Sequence, residues 1–280
     1  MRFIYSCDIH GDMVKYEKLR KIANENNIKN IVIGGDLLPK KAELRAPIQR
    51  EFVQGEFKDY FEMLQKDNIN FIATLGNDDL EIVEPEYLEM ISNFPNVKNI
   101  DERKVDLEDV SFVGLSRVLD TPFMRKDRIV VEEGQEMPEQ LKETIYINKC
   151  QDIVTVDEWR ELRKTSVPKM EDVLDNLPKS TQGLKAIFVF HDPPYGIGLD
   201  HCKNDELVGS KAMARFIEQS EAYMSFHGHI HESPDMSGKW YNKLGNTICI
   251  QPGQTEFGNS KLHYVIVDTE KNTYDLKFDE

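Results

Sequence analysis

The feature that most constrains this chain is the alternation of short, β-rich apolar runs with longer amphipathic stretches at its start. Arg2 to Ser6, Asn30 to Gly34 and Asn70 to Leu75 carry the strand signature, and Met13 to Asn26 and Arg45 to Gln65 place apolar residues at helical spacing between them. A β-α-β-α-β order of this kind predicts a parallel sheet, because right-handed crossovers return each strand in the same direction. Parallel strands bring their C-terminal ends to one edge, so the residues just after each strand are where a site is expected.

From Val97 the spacing tightens. Val97 to Ile100, Lys104 to Leu107 and Val110 to Leu115 predict a second, more antiparallel sheet. The stretch from Arg117 to Gln182 is rich in charge, with helices expected over Asp157 to Lys164 and Lys169 to Leu177, and reads as a cap inserted into one domain spanning 1–280. Strands resume at Ala186 to Phe190, Tyr223 to Phe226, Thr247 to Ile250, Lys261 to Asp268 and Thr273 to Lys277, and a helix over Ser210 to Gln219 separates the first two.

Composition narrows the function classes. With 280 residues, 40% hydrophobic and 30% charged, the chain can bury a full core and is too polar for a membrane protein. The 35 Lys and Arg against 50 Asp and Glu give a net charge of -15, which argues against a grip on extended nucleic acid. A small phosphorylated substrate stays open, since a metal centre can reverse the local field. Cys7, Cys150, Cys202 and Cys249 are widely scattered, as reduced thiols of a cytoplasmic protein are, and the opening MRFIYSCDIHGD resembles neither a signal peptide nor a spanning helix. A cytoplasmic location without membrane attachment is the expectation.

Each expected strand ends in polar residues. The first leads into Asp8-Ile9-His10, the second into Gly35-Asp36 and the third into Gly76-Asn77-Asp78-Asp79. Taken singly, these are ordinary caps and turns. Two later strands, however, deliver His191 and the run His227-Gly228-His229-Ile230-His231. Three histidines in five residues, with His191 after another strand, point to metal binding. Oxygen and nitrogen donors without thiolate suit Mn, Fe, Zn, Ni or Co, and the donor count suits two ions.

In that order, Asp8-x-His10, Gly35-Asp36, Gly76-Asn77, His191 and Gly228-His229-x-His231 resemble the calcineurin-like metallophosphoesterases. Gln251-Pro252-Gly253 is similar to the family's usual Asn-Pro-Gly turn. The resemblance implies an α/β fold, a four-layer α/β/β/α sandwich of two mixed sheets with the 117–182 helical cap inserted. It also implies one ion on Asp8, His10, Asp36 and His231 and a second on Asp36, Asn77, His191 and His229, with manganese favoured. Paired ions of this kind ready a bridging hydroxide for in-line attack on phosphorus. The expected activity is hydrolysis of a small phosphoester, with no extended nucleic-acid partner.

One position departs from the pattern. The family often has a histidine after Gly-Asn, near the leaving-group oxygen, where this chain has Asp78. A carboxyl beside two cations is a poor acid, and since some family members with this histidine replaced are similar to phosphodiesterases, the resemblance implies phosphodiesters over phosphomonoesters. Asp78, His201 and His227 are the candidate substitute donors. Arg117, Arg125, Lys126 and Arg128 are expected as solvated cap charges, with a phosphate clamp as the alternative; Phe123, Tyr195 and Trp240 are expected to pack, with ring stacking as the alternative. Other binuclear hydrolases fit less well, because metallo-β-lactamase-like and amidohydrolase patterns leave Gly35-Asp36 and Gly76-Asn77 unexplained. A metal-binding scaffold of the same fold without turnover is the non-enzymatic alternative.

Overall fold

The computed structural model describes residues 1–40, 45–147, 149, 151–254 and 260–279. The first part runs β1 (Arg2–Ser6), α1 (Met13–Glu25), β2 (Asn30–Gly34), α2 (Arg45–Gln54), α3 (Glu56–Lys66), β3 (Asn70–Thr74), α4 (Glu84–Ile91) and β4 (Val97–Asn99). The amphipathic stretch expected as one helix is two, because Gly55, which disfavours helix interiors, separates α2 from α3. Phe57, Tyr60, Phe61 and Leu64 of α3 are all buried, an i, i+3, i+4, i+7 stripe laid on the sheet. Fully burying a side chain of this size contributes roughly 1.5–3 kcal/mol.

Next come β5 (Lys104–Leu107) and β6 (Val110–Leu115), then β7 (Val118–Leu119), β8 (Ile129–Val130), β9 (Thr144–Ile147), β10 (Asp152–Thr155), α5 (Val156–Thr165) and α6 (Met170–Asp175). The 117–182 stretch thus carries its two expected helices and four short strands besides. The chain continues with β11 (Lys185–Phe190), α7 (Lys211–Ser220), β12 (Met224–Phe226), α8 (Ser233–Ser237), β13 (Tyr241–Leu244), β14 (Thr247–Ile250), β15 (Leu262–Asp268) and β16 (Thr273–Asp279).

Two six-stranded mixed sheets form the frame, ordered β16-β15-β1-β2-β3-β4 and β13-β14-β12-β11-β6-β5. Two expectations need correction. The run from Val97 belongs to the first sheet, where β4 extends the parallel series beside β3. The second sheet is parallel through β14, β12, β11 and β6, and antiparallel only at its edges, β13 and β5. Tight spacing does mark the β5–β6 hairpin, but the buried centre of the sheet is assembled by crossovers.

Three apolar layers alternate with the elements. One lies between the first sheet and α1, α3 and α4, and includes Tyr16, Phe57, Phe61 and Phe71. The second lies between the sheets, where Phe3 and Tyr5 meet Phe112 and Phe226. The third joins the far face of the second sheet to α6 and α7 through Phe190, Leu174, Met213 and Ile217. The result is a four-layer α/β/β/α sandwich in which β1, β2, β3, β11 and β12 bring their C-terminal ends toward one place. Among the described residues Cys7, Cys202 and Cys249 are free thiols, and Cys150 lies outside them. No described helix is long and apolar enough to cross a membrane.

Candidate functional site

Asp12, not Asp8, caps α1: its side chain accepts from the amides of Val14 and Lys15 at 3.0 and 3.3 Å. Asp8 is therefore left to face the gap between the sheets, where its Oδ1 accepts from the His229 amide at 3.1 Å. The backbone ladder continues past the end of β1, with Asp8 N–H donating to Gly35 O and His10 N–H to Asp36 O. That pairing sets the two loops side by side. Asp8, His10, Asp36 and His229 all adopt positive φ, at 55°, 51°, 53° and 67°. Left-handed backbone costs a non-glycine residue about 1–2 kcal/mol, and such conformations cluster at functional sites.

The ligand-type atoms converge. His231 Nε2 lies 3.2 Å from Asp8 Oδ1 and 3.3 Å from His10 Nε2, and His10 Nε2 lies 3.6 Å from Asp36 Oδ2. Asp8, His10, Asp36 and His231 each offer a donor atom within 4.8 Å of all the others, a set able to hold a metal ion. Next to it, His191 Nε2 stands 3.5 Å from Asp36 Oδ2 and 3.1 Å from Asn77 Oδ1. His191 Nδ1 donates to the Gly34 carbonyl oxygen at 2.7 Å, which turns Nε2 into the site. The His229 ring lies 5.3 Å from that of His191, centroid to centroid.

Two glycines make this approach sterically feasible. A Cβ on Gly76 would collide with the carboxylate and amide of Asp36, and one on Gly35, itself at φ 101°, would collide with the His191 ring.

The electrostatics fit a cation. Asp8 Oδ2 is buried without a hydrogen-bond partner, an arrangement costly for a carboxylate unless something positive faces it. Burial holds the His10 and His229 pKa values down, to about 4 and about 3, leaving both imidazoles neutral with a lone pair to offer. His191 goes the other way: burial opposes its charge, but Asp36 and Asp8 outweigh burial and push its pKa up to about 10. Burial also opposes ionisation of Asp36, yet His191 and His10 keep its carboxyl well below the usual range.

The remaining candidates sit elsewhere in the hydrogen-bond network. His227 is fully buried; its Nδ1 donates to the carbonyls of Phe190 and Asp192, and its Nε2 accepts from Ser225 Oγ at 2.9 Å. Both ring nitrogens are thus engaged by backbone carbonyls and the Ser225 hydroxyl. His201 is half-buried in the loop after β11, its amide bonded to Ser233 Oγ at 3.1 Å. Asp78 lies next to the site, its amide donating to Asp36 Oδ1 at 2.8 Å, and its carboxylate is ion-paired with both Lys40, at 2.7 Å, and Arg45. Burial and Asp36 raise its pKa, but Lys40, His10 and Arg45 prevail and hold it below the ordinary value.

Arg117, Arg125, Lys126 and Arg128, expected as solvated cap charges, are tied into the fold. The Lys126 ammonium is buried against Asp120, the Thr121 carbonyl and Gln140. The buried Arg128 donates to the Asp79 carbonyl, Asp101, Ser116 and Glu84. Arg117 bonds Glu81 and Glu102, and Arg125 lies over the Tyr146 ring. Phe123 and Tyr195 are exposed, with Lys211 over the Tyr195 ring, whereas Trp240 packs with Tyr241 and Tyr274. Sequence reasoning missed Lys40, Arg45 and the structural clamp Asp79, whose carboxylate accepts from the amides of Leu37, Leu38 and Gly76. Asp79 thereby ties the loop after β2 to the loop after β3, and its only trace in the sequence is a turn-like Asn-Asp-Asp.

The calcineurin-like phosphoesterase family matches residues 1–233. The chain belongs to that family. An uncharacterised protein of Methanocaldococcus jannaschii is 27% identical over 223 residues, covering 78% of this chain and 72% of its own length. A solved structure from Thermus thermophilus superposes with a TM-score of 0.57 at 17% identity, covering 99% of this chain and 97% of that one. Another crystal structure reaches a TM-score of 0.61 at 15% identity, over 99% and 98% of the two chains. At these identities the two solved structures speak to the fold alone. Membership makes this calcineurin-like phosphoesterase a metal-dependent phosphoesterase.

Proposed function

We propose that this chain hydrolyses small phosphodiesters with the help of two divalent ions, manganese favoured. One observation carries the reading: Asp36 stands 3.6 Å from His10 and 3.5 Å from His191, between two groups of imidazole, amide and carboxylate side chains, with Asp8 Oδ2 buried and unpartnered beside them. Asp8, His10, Asp36 and His231 would hold one ion, and Asp36, Asn77, His191 and His229 the other. When bound, two such ions lower the pKa of a water between them and draw charge from the phosphoryl oxygens.

The residues of the chain then have defined tasks. Asp36 would be shared by the two ions, the Gly34 carbonyl accepts from His191 Nδ1 and fixes its tautomer, and Asp79 keeps the Asn77 loop against Asp36. In the overall reaction the oxygen of water bonds to phosphorus as the ester P–O bond opens, and the departing oxygen takes a proton from solvent. Diesters are favoured because Asp78 is ionised and held by two cations where the family often has a histidine. A small substrate, no extended nucleic acid and a cytoplasmic location complete the proposal, on the grounds of the -15 charge and the scattered cysteines.

The test is metal analysis after gentle purification, then hydrolysis of bis(p-nitrophenyl) phosphate and p-nitrophenyl phosphate with and without Mn²⁺. About two ions per chain and faster turnover of the diester are expected. Bound metal with no turnover of either ester would replace this reading with the scaffold.

A further inference from the structure

Lys15 stands where a lysine is least expected. It is the third residue of α1, at the helix end whose partial positive charge repels a cation, and only 4% of it is exposed. Burial opposes its charge, and Asp12 and Asp8 are the carboxylates that favour it. Local rules broken in this way are expected at functional sites. The Lys15 ammonium donates to Gln254 Oε1 at 3.1 Å, a residue from the far end of the chain.

Gln254 is buried and bonded on every side. Its Oε1 also accepts from the His263 amide, its Nε2 donates to Ser6 Oγ and to the His263 carbonyl, and its own amide donates to the His231 carbonyl at 3.1 Å. The same turn grips the preceding residue, where Gln251 Nε2 donates to the Ile230 carbonyl at 2.6 Å. Gly253, at φ 72°, lets the turn lie this close, since a Cβ there would come within 2.8 Å of the His231 carbonyl oxygen. Gln251-Pro252-Gly253-Gln254 is therefore a clasp on the His231 segment. Lys15 joins that clasp to the helix that follows Asp8 and His10.

We propose that Lys15 is a positioning residue for the metal centre: through Gln254 it braces α1 against the turn that holds His231, and so keeps His231 at the spacing from Asp8 and His10 that a divalent ion requires. This deepens the two-ion reading and rests on it. Asn77 and His191 come from other loops and bond to neither Lys15 nor Gln254, so the brace acts on one ion more than on the other. A lysine that served only as a charge beside Asp8 predicts the opposite sign, because removing a nearby cation strengthens the hold of carboxylates on a divalent ion.

The test compares Lys15→Met, Lys15→Arg, Gln254→Leu and the Lys15→Met/Gln254→Leu double variant with the wild-type protein. Mn²⁺ is titrated into each metal-free protein by calorimetry, and amide hydrogen exchange at Gln254, which reads the bond to His231, is measured without metal. Lys15→Met is expected to weaken one of the two ions about tenfold, to leave the other near its wild-type affinity and to speed exchange at Gln254. Lys15→Arg should recover most of the loss, and the double variant should be no worse than Gln254→Leu, because both residues act through one contact. If Lys15→Met takes up Mn²⁺ as tightly as the wild type or more tightly, the proposal is overturned; should that variant not fold, Gln254→Leu carries the same expectation and the same refutation. A wild-type protein that takes up no divalent ion would sink the two-ion reading instead, and unchanged exchange at Gln254 in the variants would still dismiss the brace.

Discussion

His10 and His231 turn their Nε2 atoms toward each other across 3.3 Å, with Asp8 and Asp36 on either side. Two ring nitrogens at that separation and two carboxylates are better satisfied by one shared cation than by one another. Mn²⁺ at about one hundred times its dissociation constant should stabilise the fold by about 2.7 kcal/mol. For a chain of this size that is a rise of roughly 5 °C in melting temperature. Chelation should reverse it, and Asp36→Asn should lose both ions together. A melting temperature indifferent to Mn²⁺ and chelator would refute the shared site.

Gly76→Ala tests the close approach at Asp36. The added Cβ has no room against the Asp36 carboxylate and amide, so the Asn77 loop must shift. Metal affinity should fall about 10- to 100-fold, the range seen when groups supporting a ligand are disturbed, with the circular dichroism spectrum unchanged. Undiminished metal uptake by Gly76→Ala would show that the loop can move without consequence.

Where sequence and structure agree, the reason is local. β1, β2, β5, β6 and β14 have the bounds read from apolar runs, and the Asp, Asn and His types after β1, β2, β3, β11 and β12 were visible because parallel strands gather such residues at one edge. Lys40 and Arg45 left no such trace. They reach Asp78 from different segments, and nothing in their spacing announces a meeting. The buried roles of Lys126 and Arg128 were hidden for a related reason: a run of charge looks solvated until its partners, Asp120 on one side and Asp101 and Glu84 on the other, are brought to it by the fold.

His227 predicts an acid sensitivity that does not depend on metal. Burial lowers its pKa to about 4, against an ordinary value near 6.5, although the carbonyls of Asp192 and Phe190 partly oppose this. Between those values the unfolded chain binds a proton that the folded chain refuses. Stability in chelator should therefore fall as the pH drops from 6.5 toward 4, by no more than about 3 kcal/mol from this group. Urea titrations at several pH values measure the slope, and the imidazole resonances of His227 should remain those of the neutral ring below pH 5. A ring that titrates near 6.5 would rule this out.

Arg128→Met should destabilise the protein by about 3–5 kcal/mol, because the buried Asp101 carboxylate loses its cation. Chemical denaturation measures this directly. Since Arg128 Nε also holds the Asp79 carbonyl at 3.2 Å, metal affinity should decline in the same variant. A loss under about 1 kcal/mol would place the cluster among surface-like ion pairs.

The fastening of Arg128 and Asp127 to Asp79, Glu84 and Glu81 bears on how this protein can be shortened. Excising 117–182 to shorten the chain would remove the bonds that hold the Asp79 carbonyl and the Glu81 amide and strip Asp101 of its counter-charge. The segment that looks most dispensable by position is the one that cannot be pruned without loosening the loop after β3 on the opposite sheet.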